Sequence, residues 1–326
     1  MGKKTIKKIL EKFPKLNMSI VPTPILRLDK ISNECGTNIY CMRDDLTGFA
    51  FGGNKTRKLD YLIANALNQN KDTLIGIGAN QSNFCRIVTA AGIINGMDVH
   101  LVLAGEKPGQ PTGNLLIDHL FGAKIHHIDT DDDNVIINEA NLLERKLIEQ
   151  GKKVYNIPFG GSIPTGILGY VEAFDEILTF SRQTNTNFST IIHASGSGGT
   201  QSGLVVGQAI SGWPGKIIGM SVGKDEQLLS GIVFDLASET AKLLGVEVER
   251  ELIKVDDSYV GEAYGAKTEQ GEQAIKLFAQ KEGILLDNVY TGKAVSGLLD
   301  YASRGLFKKS ENILFIHTGG NIQLFE

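Results

Sequence analysis

From Thr73 to Ile157 the chain alternates short apolar runs with segments whose apolar residues recur every three or four positions. Strands are expected at Thr73 to Ile77, Val99 to Leu103, Lys124 to Ile128 and Val154 to Ile157, with helices over Ser82 to Asn95, Gly113 to Phe121 and Asn134 to Glu149. This alternation predicts parallel strands joined by right-handed crossover helices in one compact α/β unit. The stretch PFGGSIPTG at 158–166 separates it from a second unit. There the pattern predicts helices at about 167–181, from near Thr200, at about 226–244, at about 268–282 and from Gly292 to Ser303. Strands are expected at Thr190 to His193, Ile217 to Val222 and Ile313 to His317. No low-complexity linker or internal repeat divides the two units, so they are expected to share an interface. In open α/β sheets, that interface and the carboxyl ends of the strands are where ligands bind.

Composition narrows the range of partners. With 326 residues and 42% hydrophobic content, the chain can build about two domains with a substantial core. Lys and Arg total 33 against 37 acids, a net charge of -4, which removes the electrostatic case for nucleic acid or an anionic membrane. Small molecules are the expected partners. Cys35, Cys41 and Cys85 form neither an even set nor a C-x-x-C motif, so no disulfide framework or metal site is expected, and a reducing, cytoplasmic setting fits. At the amino terminus, MGKKTIKKILEKF places Ile6, Ile9, Leu10 and Phe13 on one helical face. Without arginine or a continuous apolar segment, it is expected to be a docked first helix and not a targeting peptide. No run approaches the roughly 18 apolar residues of a membrane helix.

The stretch Arg43 to Leu59, RDDLTGFAFGGNKTRKL, concentrates the chemistry. A strand-like approach at 39–42 breaks at Gly48 and at Gly52-Gly53, then restarts as a helix carrying Lys55. A lysine at a helix start faces the positive end of the dipole, and burial lowers its pKa further, which makes an amine usable as base or carbonyl nucleophile. The alternative is an ordinary solvated face, since Lys55, Arg57 and Lys58 lie within one turn. A second segment, Ser195-Gly196-Ser197-Gly198-Gly199-Thr200, follows a strand and precedes a helix, as a backbone cup for phosphate would. It is not a Walker loop, because Leu204 follows Gly203 where lysine is needed, nor a dinucleotide fingerprint, because Gln201 holds the last glycine position. Phosphate without nucleotide is the expected ligand.

A third loop, Gly78-Ala79-Asn80-Gln81-Ser82-Asn83, also ends a strand and enters a helix. Ser82 reads as an N-cap, a position that can present N–H groups to a carboxylate. Tyr264 and Tyr290, each near glycine, and the run His317-Thr318-Gly319-Gly320 supply polar groups that could approach a ligand.

Taken in order, VPTPILRLDKIS, RDDLTG, GGNKTRKL, QSN, GSGGT, AYG, VYTGKA and FIHTGG resemble the pyridoxal-phosphate enzymes of the tryptophan-synthase-β fold type. Within them, the chain resembles the group containing D-cysteine desulfhydrase and 1-aminocyclopropane-1-carboxylate deaminase. The resemblance covers nearly the whole chain. It implies two open twisted parallel-sheet domains with helices on both faces and the cofactor, pyridoxal 5'-phosphate, in the cleft between them. Residues 1–52 and 165–326 would form the large cofactor-binding domain, and 53–164 the smaller domain with the Schiff-base lysine. A homodimer is implied too.

By the same resemblance Lys55 holds the cofactor covalently, and Gly196, Ser197, Gly198, Gly199 and Thr200 bind its phosphate. Asn54 touches the ring oxygen, and Thr318, or else Thr291, stands at the ring nitrogen. Gln81, Ser82 and Asn83 handle the substrate carboxylate, with Ser82 also catalytic, and Tyr264 and Tyr290 flank the reacting carbons. Relatives that open the cyclopropane ring carry Glu where this chain has Thr291, which favours β-elimination from D-cysteine. L-Cysteate sulfo-lyase and cyclopropane deaminase activities are the alternatives within the fold, and a nucleotide-dependent oxidoreductase or a silent cofactor-binding relative the alternatives outside it. Phe84 stands where relatives show His or Gln, and an apolar ring there is expected to reshape the pocket beside the carboxylate.

Overall fold

A computed structural model describes residues 5–325. In chain order the elements are α1 (Ile6–Leu10), β1 (Ile25–Arg27), α2 (Asp29–Cys35), β2 (Asn38–Met42), α3 (Asn54–Asn68), β3 (Thr73–Ala79), α4 (Asn83–Ile94), β4 (Asp98–Ala104), α5 (Gly113–Leu120), β5 (Lys124–Ile128), α6 (Asp133–Glu149) and β6 (Val154–Ile157). There follow α7 (Pro164–Thr184), β7 (Phe188–Ser195), α8 (Gly199–Ser211), β8 (Lys216–Ser221), α9 (Glu226–Leu244), β9 (Lys254–Asp256), α10 (Glu269–Glu282), α11 (Thr291–Ser303) and β10 (Asn312–Ile316). Short 3₁₀ turns join several of them.

The strands form two sheets, one ordered β1-β2-β10-β7-β8-β9 and a smaller one ordered β5-β4-β3-β6. All pairings are parallel except that of the edge strand β1 with β2. Helices cover both faces of each sheet, which is why β3, TLIGIGA, is buried along nearly its whole length and shows no polar alternation. Two apolar layers flank each sheet: Leu204, Ile217 and Leu314 lie in one layer of the larger sheet, Ile192, Phe278 and Phe315 in the other. Around the smaller sheet the layers are marked by Leu74 and Leu101 and by Ile75 and Ile136. Helix α7 packs against both α8 and α3 and so ties the two sheets together.

Helix α1 is docked by Ile6, Ile9 and Leu10, but it stops sooner than the apolar pattern suggests. Pro14 disfavours helix at the residue before it, so Phe13 reaches the core from outside the helix. The first four residues of the lysine-rich terminus lie outside the described ones.

The solvated-face alternative for α3 is overturned. Arg57 is 2% exposed and Lys58 fully buried. Arg57 donates to both carboxylate oxygens of Asp44 at 2.8 Å and to Glu176 at 2.8 and 2.9 Å, and Tyr170 donates to Asp44 at 2.6 Å. An unpaired charge there would cost several kcal/mol, about 3–5 when one partner of such a pair is removed, so this network fixes the rotation of α3.

Candidate active site

Two glycines turn the chain into α3. Gly52 and Gly53 have φ of +62° and +114°, and a Cβ on Gly52 would fall 2.5 Å from the Asp45 carbonyl. The turn is held by Gly53 N–H donating to Asp44 O at 3.0 Å and Thr47 Oγ1 at 2.8 Å, and by Asn54 N–H donating to Thr318 O at 2.9 Å. The lysine is thereby locked to the end of β10. Lys55 is the second residue of α3, and burial pushes its amine down to about 8. Among the described residues, its Nζ has no hydrogen-bond partner.

The glycine loop follows β7 and opens α8, with Gly198 at φ +80°. First-turn N–H groups of a helix have no partner within it, so they are free for an anion. Ser197 Oγ lies 2.8 Å from Ser162 Oγ, and Lys58 Nζ donates to Ser162 Oγ at 3.1 Å and to Gly160 O at 3.0 Å. A Cβ on Gly199 would come within 2.6 Å of Lys58 Nζ, and one on Gly160 within 3.3 Å of Lys55 Nζ and 2.8 Å of Ser197 Oγ. Gly160 is therefore the point where the lysine and the loop converge. Asn54 Nδ2 donates to Thr200 Oγ1 at 3.0 Å, joining the lysine turn to the loop from the other side. Burial, with Lys55 adding repulsion, holds the Lys58 amine well below its usual pKa. A phosphate beside it would reverse that penalty, so the cup fits a phosphorylated cofactor in both shape and charge.

Ser82 is the N-cap of α4, its Oγ accepting from Cys85 N–H at 3.2 Å. Asn83 Oδ1 accepts from Arg86 Nη1 at 3.1 Å and Asn114 Nδ2 at 3.2 Å, while Arg86 Nη2 donates to Gly52 O at 2.9 Å. Gln81 is turned toward α5: its Oε1 accepts from Asn114 N–H at 2.8 Å and its Nε2 donates to Thr112 O at 3.2 Å. Gln81 thus braces the loop. Phe84 does not line the pocket as expected, because helical geometry sends it into the core of the smaller sheet beside Leu62, against the face of Gly161.

Tyr264 and Tyr290 meet through their hydroxyls. Tyr290 also borders the loop, its Cε1 3.9 Å from where a Cβ on Gly196 would sit. Behind it, Thr291 Oγ1 donates to Asp287 Oδ2 at 2.6 Å and accepts from Asp287 N–H at 2.8 Å. The Thr291 hydroxyl proton is spent. Thr318 is 7% exposed, its carbonyl engaged by Asn54, while its hydroxyl forms no bond among the described residues.

A fully parallel core, a lysine on a glycine turn and a phosphate-shaped loop on the neighbouring sheet define a cofactor-dependent enzyme. Residues 16–319 match the family model described as pyridoxal-phosphate dependent enzyme, and the chain belongs to that family, with fold type II architecture and pyridoxal 5'-phosphate as its cofactor. It is 41% identical over 315 residues to a Pyrococcus furiosus protein provisionally named 1-aminocyclopropane-1-carboxylate deaminase, spanning 97% of this chain and 94% of that protein. A Pyrococcus abyssi protein of the same provisional name is 38% identical over 312 residues, 96% of this chain and 93% of the relative. A crystal structure of an ACC deaminase homologue superposes with a TM-score of 0.92 at 39% identity, covering 100% of this chain and 97% of the other. Threonine deaminase isoform 2 of Solanum lycopersicum shares the fold at 20% identity, with a TM-score of 0.71 over 96% of this chain and 83% of its own.

Lys58, Ser162, Arg86 and Asp287 bond to the candidate residues or their loops and were not singled out as candidates from the sequence. Lys58 was detectable only as one more charge on α3, and Ser162 only as part of a glycine-rich connection. Among the described residues no helix is long and apolar enough to cross a membrane, and no group of three or more His, Cys, Asp or Glu could hold a metal ion.

Proposed function

We propose that the protein catalyses β-elimination on a small amino acid, with D-cysteine as substrate and pyruvate, sulfide and ammonia as products. The observation that carries this is the convergence of Lys55, Lys58 and Ser197 around Gly160, which sets an amine of lowered pKa beside an anion cup. Bound pyridoxal phosphate supplies an aldehyde for the amino group and a conjugated ring that takes up charge from the α-carbon. The protein's residues do the rest.

In this reading the glycine loop and Lys58 hold the phosphate. The Lys55 amine would accept the α-proton at Nζ, and its lowered pKa of about 8 leaves a usable neutral fraction at neutral pH. The Ser82 hydroxyl and the first-turn N–H groups of α4 hold the substrate carboxylate, with Asn83 steadied by Arg86 and Asn114. Tyr290, hydrogen-bonded to Tyr264, stands on the leaving-group side, where a phenol can donate a proton to the departing thiolate. Thr318 offers a neutral hydroxyl to the ring nitrogen.

A second reading, deamination of 1-aminocyclopropane-1-carboxylate, is favoured by the names of the relatives. That substrate has no α-proton for Lys55 to take and makes a heavier demand on the ring as electron sink. Purified holoenzyme assayed with D-cysteine, L-cysteate and the cyclopropane amino acid separates the readings. Sulfide and pyruvate from D-cysteine support ours. Faster formation of 2-oxobutanoate from the cyclopropane compound overturns it, and sulfite from L-cysteate with D-cysteine inert replaces the substrate.

A further inference from the structure

Lys293 lies on α11, three residues beyond Tyr290, and is fully buried. Its Nζ donates to the main-chain carbonyls of Val260 at 2.6 Å and Ala263 at 3.2 Å. Those carbonyls belong to the connection between β9 and α10, where residues 261–265 are all exposed. Tyr264 is in that exposed stretch. Gly261 and Gly265 bracket it at φ +76° and +80°, backbone angles suited to a pivot, and Gly223 at the end of β8 makes room for it, since a Cβ there would fall 2.8 Å from Tyr264 Cβ. A second tie runs to the same helix, from Tyr259 OH to Asp300 Oδ2 at 2.6 Å.

We infer that Lys293 is a positioning residue that clamps the 257–267 segment to α11 and so sets Tyr264 against Tyr290 over the cleft. Burying an ammonium is costly unless its protons are bonded, so release of the segment would strand the charge and the closed arrangement is favoured. An apolar residue at 293 would pack but could not hold two carbonyls. The clamp acts on the proposed reaction through Tyr264, and in that respect it rests on the reading given above.

The test uses holoenzyme carrying Lys293→Met, which keeps the length of the side chain and removes its donors. Hydrogen–deuterium exchange without substrate is expected to quicken in 257–267 while the rest of the chain keeps its protection. Turnover of whichever amino acid the protein consumes is expected to fall on the order of tenfold, in kcat more than in KM. In the double variant with Tyr264→Phe the losses are expected to be less than multiplicative. Unchanged exchange in the segment, or fully multiplicative losses, overturns the inference. If Lys293→Met loosens the whole chain, Lys293→Gln, with a donor but no charge, is read by the same exchange measurement and the same criteria. Should the segment open as expected while Tyr264→Phe alone leaves turnover intact, the clamp stands as a fastening and the tyrosine's part in the reaction falls.

Discussion

Lys58 and Ser162 are joined by a hydrogen bond of 3.1 Å, and the same serine hydroxyl lies 2.8 Å from Ser197 in the glycine loop. An amine whose charged form a bound phosphate would favour is thus held at the cup by the connection between the two sheets. Lys58→Met is expected to weaken cofactor affinity by about 10- to 100-fold, the 1.5–3 kcal/mol of a charge-assisted hydrogen bond, without abolishing covalent attachment at Lys55. Cofactor titration followed by absorbance checks this, and unchanged affinity would remove Lys58 from the phosphate site.

Lys55 should be the residue that borohydride reduction labels with a pyridoxyl group. Lys55→Ala is expected to lower turnover by about 10²- to 10⁴-fold while the cofactor still binds through its phosphate. Peptide mapping decides it, since a label on Lys58 or Lys293 is incompatible with the assignment. Burial lowers the free amine to about 8, so in cofactor-free protein its reaction with a small aldehyde should rise with pH and level off above that value. An exposed lysine would still be gaining reactivity near pH 10.

Backbone, more than side chain, should carry the anion. Gly198 has φ +80°, and a Cβ there would sit 3.2 Å from both Ile232 and Val233. Gly198→Val is therefore expected to lose cofactor far more severely than Ser197→Ala, whose hydroxyl contributes one bond worth about 1 kcal/mol. Equal losses, measured by the same titration, would argue for side-chain recognition.

Asp118 gives a pH dependence of stability. Thr89 donates to its Oδ1 at 2.8 Å, but among the described residues Oδ2 is buried without a hydrogen bond, and burial, against the pull of Arg86, pushes the carboxyl up to about 7. The folded protein therefore holds this proton more tightly than the unfolded chain, so the contribution is fully present below about pH 4 and is lost as pH rises through 7. Asp118→Asn should raise the melting temperature at pH 8 by about 2–4 °C for each kcal/mol recovered, and change it little at pH 4. A gain at both pH values alike would point to packing instead of charge.

Much of the architecture could be read from periodicity because parallel strands buried on both faces leave long apolar runs with glycine punctuation. The strand at 154–157 and the helix at 226–244 appear where the pattern places them. The three-residue strands β1 and β9 did not show in the sequence, since Ile-Leu-Arg and Lys-Val-Asp are too short to express a period and owe their pairing to a neighbour. At the site, Lys55 and the glycine loop were visible because glycine marks unusual backbone. Lys58 and Lys293 were not, because a lysine's burial depends on carbonyls more than 30 residues away in the chain. Phe84 misled for a related reason: its number places it beside the carboxylate loop, while its direction on α4 takes it into the core.

Strand β10 comes last among the strands yet lies between β2 and β7 in the middle of the larger sheet. The turn that follows it supplies the carbonyl of Thr318 to Asn54 and that of His317 to Asp45. During synthesis, then, the smaller sheet can close on contacts already made, whereas the turn bearing Lys55 must wait for residues 317 and 318 to emerge before its partners exist. Until that insertion occurs, β2 and β7 each present an unpaired edge, and the nascent chain is most exposed to aggregation just before it.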